Sequence, residues 1–463
     1  MSESPIGRAV VLGGSVAGLL AARVLAEFCV DVLVVDRDEL TGVEGPRRGV
    51  PQGRHTHGVL ARGQQVIEEL FPGFTRDLAA AGVQAGDIGG QIRWYFNGRR
   101  LRPAKTGLIV VGGDRPVLEH HIRCRVAELP NVTFLEGHEV VAPVTAPDLG
   151  RVVGARVREP DGAERVLVAD LVVDATGRGS RTPAWLAGLG WPAVPEERVR
   201  IDLAYTTCRF RLRSDPFHGD VSINPVATPA HPRGAFLTSL GGDRCVVSLT
   251  GVLGDRAPRD LAGFLAYART LPVPDVFDAI RDAQPLEEPV TMRFPVSVRR
   301  RYERVRRLPE GLLVMGDAAC SFNPVYGQGM TVAALQALTL RRHLRRGAVP
   351  VTREFFADAA AVVDAPWEIA AGGDLAFPAV RGRRTIKVRM GNAFLPRVHA
   401  AATGDSAVTE AFIRVAGLVD PPRALMRPGL MSRVLRARPA RERGARQEDR
   451  APSPAFRASS PDQ

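Results

Sequence analysis

The sequence predicts an α/β fold in which a parallel-sheet domain is interrupted by an α+β block and followed by a mostly helical region. Three observations point there. Residues 9–36 read as strand, glycine turn, helix and strand, the order of a βαβ unit. Two later apolar runs, ending near Asp174 and Asp317, also break into glycine-bearing turns. Between them, residues 200–292 carry a different pattern, and residues 351–436 have mostly helical spacing.

In chain order, Ala9-Val10-Val11-Leu12 is the first buried strand and Gly13-Gly14-Ser15-Val16-Ala17-Gly18 a tight turn. Leu19 to Phe28 has helical composition, and Val30 to Val35 is a second strand ending at Asp36. In a Rossmann-like site Gly13 makes the turn and Gly18 lets the helix pack on the strand. The middle position, which lets a pyrophosphate approach the backbone, is Ser15, with Gly14 beside it. Asp36 is placed for ribose hydroxyls. The bland alternative is a plain βαβ packing turn.

Pro46 to Gly58 is a basic, glycine-bearing loop suited to pyrophosphate or a flat anionic ligand, or else a solvated loop. Its His55 and His57 lack a third partner for a metal, and no metal ligand is assigned. Gly63–Leu70 and Arg115–Leu129 read as helices and Thr133–Val141 as a strand. Residues 151–158 and 165–173 read as a hairpin turning at Asp161-Gly162, its second arm ending in Asp174-Ala175-Thr176-Gly177. In the inserted block, 203–212 and 244–250 read as strands, and 260–270 and 276–283 as helices. Gly311–Met315 is a further strand. Gly316 to Gly329 forms an acid, proline and glycine turn, and a helix follows from Met330. Such a turn suits the ribityl chain and electron-rich edge of a flavin, because its glycines admit a flat ligand and the helix start favours negative charge.

The chain has 463 residues, 45% of them apolar and 24% charged, as in ordinary globular proteins. Its net charge of +12 invites a nucleic-acid reading. Only Lys105 and Lys387 are lysines, however, and no basic run is interleaved with aromatics. The arginine bias matches a high-GC genome, and no nucleic-acid partner is expected. Five scattered cysteines without a CxxC pair argue for a reducing compartment. No apolar run reaches spanning length and no signal pattern opens the chain, so a cytoplasmic bacterial enzyme without a transmembrane segment is expected.

Together these segments resemble the FAD-dependent monooxygenases of the aromatic-hydroxylase superfamily, called group A, over most of residues 5–345. The loop from Arg48 to His57, with 174–181, 323–330 and Pro366-Trp367, is similar to an actinomycete branch that includes the polyether-antibiotic epoxidases of polyene polyketides. The resemblance implies a glutathione-reductase type of FAD-binding domain over 1–199 and 293–350. It implies a substrate domain over 200–292 with contributions from about 85–112. A helical region spans 351–437, and 438–463 reads as a disordered tail. FAD would meet Gly13, Gly14, Ser15, Ala17 and Gly18, then Asp36 and Arg37. From the basic loop it would meet Arg48, Gln52, Arg54 and His55, and beyond it Arg115, Arg123 and Val140. Asp174, Thr176, Gly177 and Asp317 would complete the sugar and pyrophosphate region, with Pro324, Gly327, Gly329 and Met330 lining the ring. Two departures stand out: Cys320, where many relatives carry histidine, and Asp-Ala-Thr-Gly in place of Asp-Gly.

In that family a C4a-hydroperoxide of the flavin delivers one oxygen atom of O2, so no catalytic side chain is assigned. The expected substrate is a lipophilic natural product, such as a polyketide, undergoing epoxidation or hydroxylation. Trp94, Phe96, Tyr205, Phe210 and Val247 are candidates for its pocket, although core packing is the more usual role for any one such aromatic. Electrons would come from NAD(P)H or from a separate flavin reductase. The competing readings are a reductase of isoprenoid double bonds, a flavin halogenase, and a flavin-binding protein without turnover. The halogenases' Trp-x-Trp-x-Ile-Pro motif is missing here.

Overall fold

The computed structural model describes residues 6–347 and 349–437. The tail reading at 438–463 lies outside the described residues. Five parallel strands form the core sheet, in the order β19 (Leu312–Val314), β12 (Leu171–Asp174), β1 (Ile6–Leu12), β2 (Cys29–Val35) and β8 (Val132–Leu135). Parallel strands covered on both faces need continuous apolar sequence. Ala9 to Leu12, Leu171 to Val173 and Leu312 to Val314 supply it, none more than 4% exposed. On the sheet pack α1 (Val16–Leu25), α4 (Arg115–Ala127) and α8 (Gly329–Leu344), with α2 (Ala61–Leu70) and α3 (Phe74–Ala80) beyond them. The short α5 (Thr182–Gly188) follows β12.

A nine-stranded sheet stands beside this core. Its order is β20 (Cys320–Ser321), β18 (Val290–Arg300), β13 (Glu196–Arg211), β16 (Arg244–Gly251), β15 (Arg233–Ser239), β14 (Ser222–Val226), β5 (Ile92–Phe96) and β6 (Arg99–Arg100). The small β17 (Gln284–Pro285) pairs with β13. One face is covered by α6 (Leu261–Ala268) and α7 (Asp275–Ile280), which bury Cys208, Phe210, Val247 and Leu249. Two three-stranded sheets complete the strands: β3 (Thr56–Val59), β7 (Ile109–Asp114) and β4 (Ala85–Asp87), and β11 (Glu164–Val168), β10 (Val152–Arg158) and β9 (Glu139–Thr145). The C-terminal part is α9 (Thr352–Asp374), α10 (Ile386–Ala402), α11 (Ser406–Ala416) and α12 (Pro428–Arg436). Val398, Ala402 and Val408 from this group pack against Trp94 and Phe96 of β5.

Several expected elements are cut differently. The strand expected over 133–141 is two strands in different sheets, because Gly137 at φ 71° turns the chain between β8 and β9. The hairpin arm expected over 165–173 likewise divides. β11 pairs back on β10, and then Ala169-Asp170 carries the chain across to β12 in the core. Asp170 fixes that crossing by accepting the Arg8 N–H at 3.0 Å. The inserted block also holds β14 and β15, which its sequence pattern did not announce. β13 and β18 run across residues 199/200 and 292/293, where the sequence placed its boundaries. Of residues 85–112, β5 and β6 join the large sheet while β4 and β7 pair elsewhere.

Candidate functional site

The C-terminal ends of β1, β2, β12 and β19 open into one cavity of about 910 Å³, whose far wall is the uncovered face of the nine-stranded sheet. Ligands of open α/β sheets gather at such strand ends. Three turns build the near wall, and each has a steric reason for its sequence. Gly13 has φ 102°, and a Cβ there would stand 2.6 Å from the Ala175 carbonyl oxygen. The first turn is therefore laid directly on the turn after β12. A Cβ at Gly18 would meet the Gly13 carbonyl oxygen at 1.8 Å, so only glycine lets α1 start there. Gly316, at φ 62°, would carry its Cβ 2.6 Å from that of Ala17, which brings the third turn against the start of α1.

Asp36, at the end of β2, lines the cavity and organises the first turn. Its Oδ2 accepts the Gly14 N–H at 2.6 Å and its Oδ1 the Asp38 N–H at 2.9 Å. Arg47 lies beneath them, 3.5 Å from Asp36 and 3.2 Å from Asp38. Two of its nitrogens donate to Glu119 Oε1 at 2.9 and 2.5 Å. Glu119 also accepts the Ser15 hydroxyl at 2.7 Å and approaches Arg115 and Arg123 at 3.4 and 3.6 Å. Burial alone would push this carboxyl up. Arg115, Arg47 and the Ser15 hydrogen bond instead hold it below the usual carboxylate range. The result is a buried, cation-rich patch under the first turn.

In the second turn Asp174 is fully buried and faces inward. Its Oδ1 accepts from the Thr176 N–H and hydroxyl at 2.9 and 2.6 Å, its Oδ2 from Ser180 and Thr182 at 2.5 and 2.6 Å. The third turn differs. Asp317 faces the cavity with no hydrogen-bond partner among the described residues, and burial pushes its carboxyl up against the pull of Arg115, Arg178 and Arg300. Arg300 pins this turn by donating to the Ala318 carbonyl at 2.7 Å. Gly327, at φ 66°, then ends a one-turn segment at Pro324–Tyr326 and hands the chain to α8, whose N-terminus meets the cavity. Asn323 and Tyr326 both donate to Asp374 Oδ1, at 2.8 and 3.3 Å. Asp374, on α9, is pushed by burial up to about 7 despite those bonds.

Of the residues named from sequence, the cavity is lined by Gly13, Ser15, Ala17, Asp36, Arg37, Gln52, Arg115, Val140, Thr176, Gly177, Asp317, Pro324, Gly327, Gly329 and Met330, with Trp94 and Tyr205 on the far side. Others lie off it, for identifiable reasons. Gly14 and Gly18 act through packing and a backbone hydrogen bond, and Asp174 through its own turn. Arg48 and Arg54 are exposed, while Arg47 is the inward arginine. Arg123 lies behind Glu119 and also donates to the Val43 carbonyl. His55 turns away to Thr207, 2.7 Å from its hydroxyl, with its ring edge-on to Tyr205, and burial lowers it to about 4. Thr56 and His57 face the cavity in its place. Phe96 stacks on His399 at 3.9 Å. Phe210 and Val247 point to α6 and α7, because Tyr205 on β13 and Ser248 and Thr250 on β16 have the opposite strand parity. Sequence reasoning missed Glu119, Arg178, Asn224 and Asp374.

No family model matches the chain. Protein Rv3254 of Mycobacterium tuberculosis is 34% identical to it over 434 residues, covering 90% of each. The chain belongs to the family of this mycobacterial protein. More distant are the digeranylgeranylglycerophospholipid reductase 2 of Methanopyrus kandleri, 28% identical over 328 residues and covering 69% of this chain and 72% of that one, and the FAD-dependent monooxygenase dpchE of Colletotrichum higginsianum, 27% identical over 212 residues, 45% of this chain and 42% of that one. Among solved structures, the flavin-dependent brominase Bmp2 superposes with a TM-score of 0.65 at 14% identity, over 88% of this chain and 92% of that one. A flavoprotein/dehydrogenase of Cytophaga hutchinsonii gives 0.65 at 14% identity, over 92% and 96%. The Rv3254 family member described here thus has the α/β fold of these flavoproteins, with a Rossmann-like parallel core and a helical C-terminal region. Among the described residues, no helix is long and apolar enough to cross a membrane.

Proposed function

We propose that the chain is an FAD-dependent monooxygenase acting on a lipophilic small molecule. The observation that carries this reading is the single cavity joining three strand-end turns to an apolar, sheet-walled chamber. The residues present fit FAD. Gly13, Ser15 and Ala17 bring the first turn to the cavity wall, and Asp317 is a partly buried carboxylate without a donor among the described residues, which a ribityl or ribose hydroxyl would supply. Gln328, 2% exposed and beside the cavity, likewise leaves its Oε1 without a partner.

When bound, FAD supplies a reducible ring that activates O2 for transfer of one oxygen atom. The chain's own residues do the rest. Asp36 receives ribose hydroxyls, while the backbone N–H of Ser15 and the guanidinium of Arg115 present donors to the pyrophosphate. The start of α8 places positive backbone ends where negative charge gathers on the ring. Tyr205, Met292 and Phe294 close the opposite side and exclude water. Electrons come from NAD(P)H or from a reductase partner. The finer reading is epoxidation or hydroxylation of a polyketide. It rests on the resemblance of residues 48–57 and 323–330 to the epoxidase branch.

The purified chain is expected to carry an oxidised-flavin spectrum. After anaerobic reduction and re-admission of isotopically labelled O2, one labelled atom is expected in the product. Reduction of an alkene substrate without O2 would sink this reading in favour of the double-bond reductase, which the Methanopyrus kandleri relative supports. A halogenase has less support, since neither Lys105 nor Lys387 lines the cavity.

A further inference from the structure

The part of the sheet wall formed by β5, β14, β15 and β16 carries no charge among the described residues. Its lining residues are all neutral, and the lining arginine of the nine-stranded sheet, Arg300 at the end of β18, turns instead to the Ala318 carbonyl of the third turn. Ile92, Trp94 and Phe236 give this chamber an apolar surface. Against it stands one polar cluster. Ser222 Oγ lies 2.7 Å from Asn224 Oδ1, 2.9 Å from the Leu237 carbonyl and 3.0 Å from Thr238 Oγ1. A serine hydroxyl has one proton, so it cannot serve both the amide and the carbonyl. Asn224 is 4% exposed and lines the cavity, and only one end of its amide meets a protein group among the described residues. In either orientation of the amide, a polar atom is left facing the cavity. A buried amide end without a partner is costly, and a ligand oxygen placed there removes the cost.

We propose that the substrate is neutral and mostly apolar, with a hydroxyl or carbonyl oxygen at the edge that meets Asn224, and without a carboxylate or phosphate anchor. This deepens the monooxygenase reading and rests on it. An amide accommodates either oxygen function, because it can donate or accept. Beside Asn224 no lining residue of β5, β14, β15 or β16 among the described residues is cationic, so an anionic group there is left unpaired, which weakens its binding.

Naphthalene, 2-naphthol and 2-naphthoate share a shape and differ only in this respect. Each is titrated into the full chain and followed by tryptophan fluorescence, with the flavin difference spectrum recorded alongside. We expect 2-naphthol to bind about tenfold more tightly than either of the others. Asn224→Leu should bring 2-naphthol down to the level of naphthalene, with flavin content unchanged. Equal affinities in the wild-type chain, or tightest binding of 2-naphthoate, would overturn the proposal, and this comparison stands even if the variant does not fold. A chain that retains no flavin overturns the monooxygenase reading instead. The tryptophan signal needs no flavin, so the panel decides this proposal in either case.

Discussion

Glu119 is the acid that Arg47, Arg115 and Arg123 share beneath the first turn, and replacing it tests whether that patch holds the near wall together. All four residues are less than 10% exposed. Glu119→Gln keeps the shape but removes the charge that three guanidiniums share. Breaking a buried ion pair from one side costs about 3–5 kcal/mol, because the remaining charges stay buried and uncompensated. For a folding unit of 150–250 residues each kcal/mol lowers the melting temperature by about 2–4 °C, so a fall of roughly 6–20 °C is expected. Scanning calorimetry measures it. The pH dependence supplies a second check. Glu119 is depressed in the folded chain, so its contribution is complete above its unfolded value of about 4.3 and is lost as pH falls toward the folded value. The variant should therefore approach the wild type in stability in acid. A double-mutant cycle with Arg47→Met should show coupling, the pair costing less than the sum of the single changes. A melting temperature within about 1 °C of the wild type at neutral pH would refute the reasoning.

Gly18→Ala places a methyl 1.8 Å from the Gly13 carbonyl oxygen, an overpacking expected to cost about 3 kcal/mol; soluble yield and flavin content should both fall. Asp36→Ala frees the Gly14 N–H and removes a carboxylate from the cavity. Loss of about 1.5–3 kcal/mol predicts flavin affinity roughly ten- to a hundredfold weaker, measurable by equilibrium dialysis. Asp374 has a folded value of about 7, above its unfolded value of about 3.9, so it binds more protons when folded. Its contribution is complete below about pH 4 and disappears as pH rises through about 7. Asp374→Asn should flatten that part of the stability profile, and an unchanged slope between those values would count against the assignment.

The parallel core was legible because its strands are covered on both faces and so read as unbroken apolar runs before glycine turns. The same property hid the facing of β13 and β16. Thr206-Thr207-Cys208 and Val246 to Leu249 are buried whichever way they point, so sequence alternation did not separate Ser248 in the cavity from Val247 in the core. Arg47 and Arg48 are neighbours in a loop without periodicity, and only the fold distinguishes the inward one. Glu119 occupies an ordinary helix position. Its meaning depends on Ser15, 104 residues away, and on Arg47, 72 away. Asp374 was invisible for a similar reason. It ends α9 after Ala370-Ala371-Gly372-Gly373, where nothing local marks it, and its partners Asn323 and Tyr326 arrive from the turn before α8.

β13 and β18 remain paired from Glu196 with Arg300 to Thr207 with Val290, through a register shift between Arg200 and Leu203. Those strands reach from beside the strand-end turns into the chamber wall, so the two halves have no hinge between them. Swinging them apart would mean tearing an antiparallel ladder, a far larger change than the loop-borne bending by which hinged domains open. Traffic through the cavity therefore has to pass by small local displacements, such as rotations of its lining side chains. Ligand exchange would then be governed by how often those side chains rotate, with the two walls of the cavity held at a constant separation by the β13–β18 ladder.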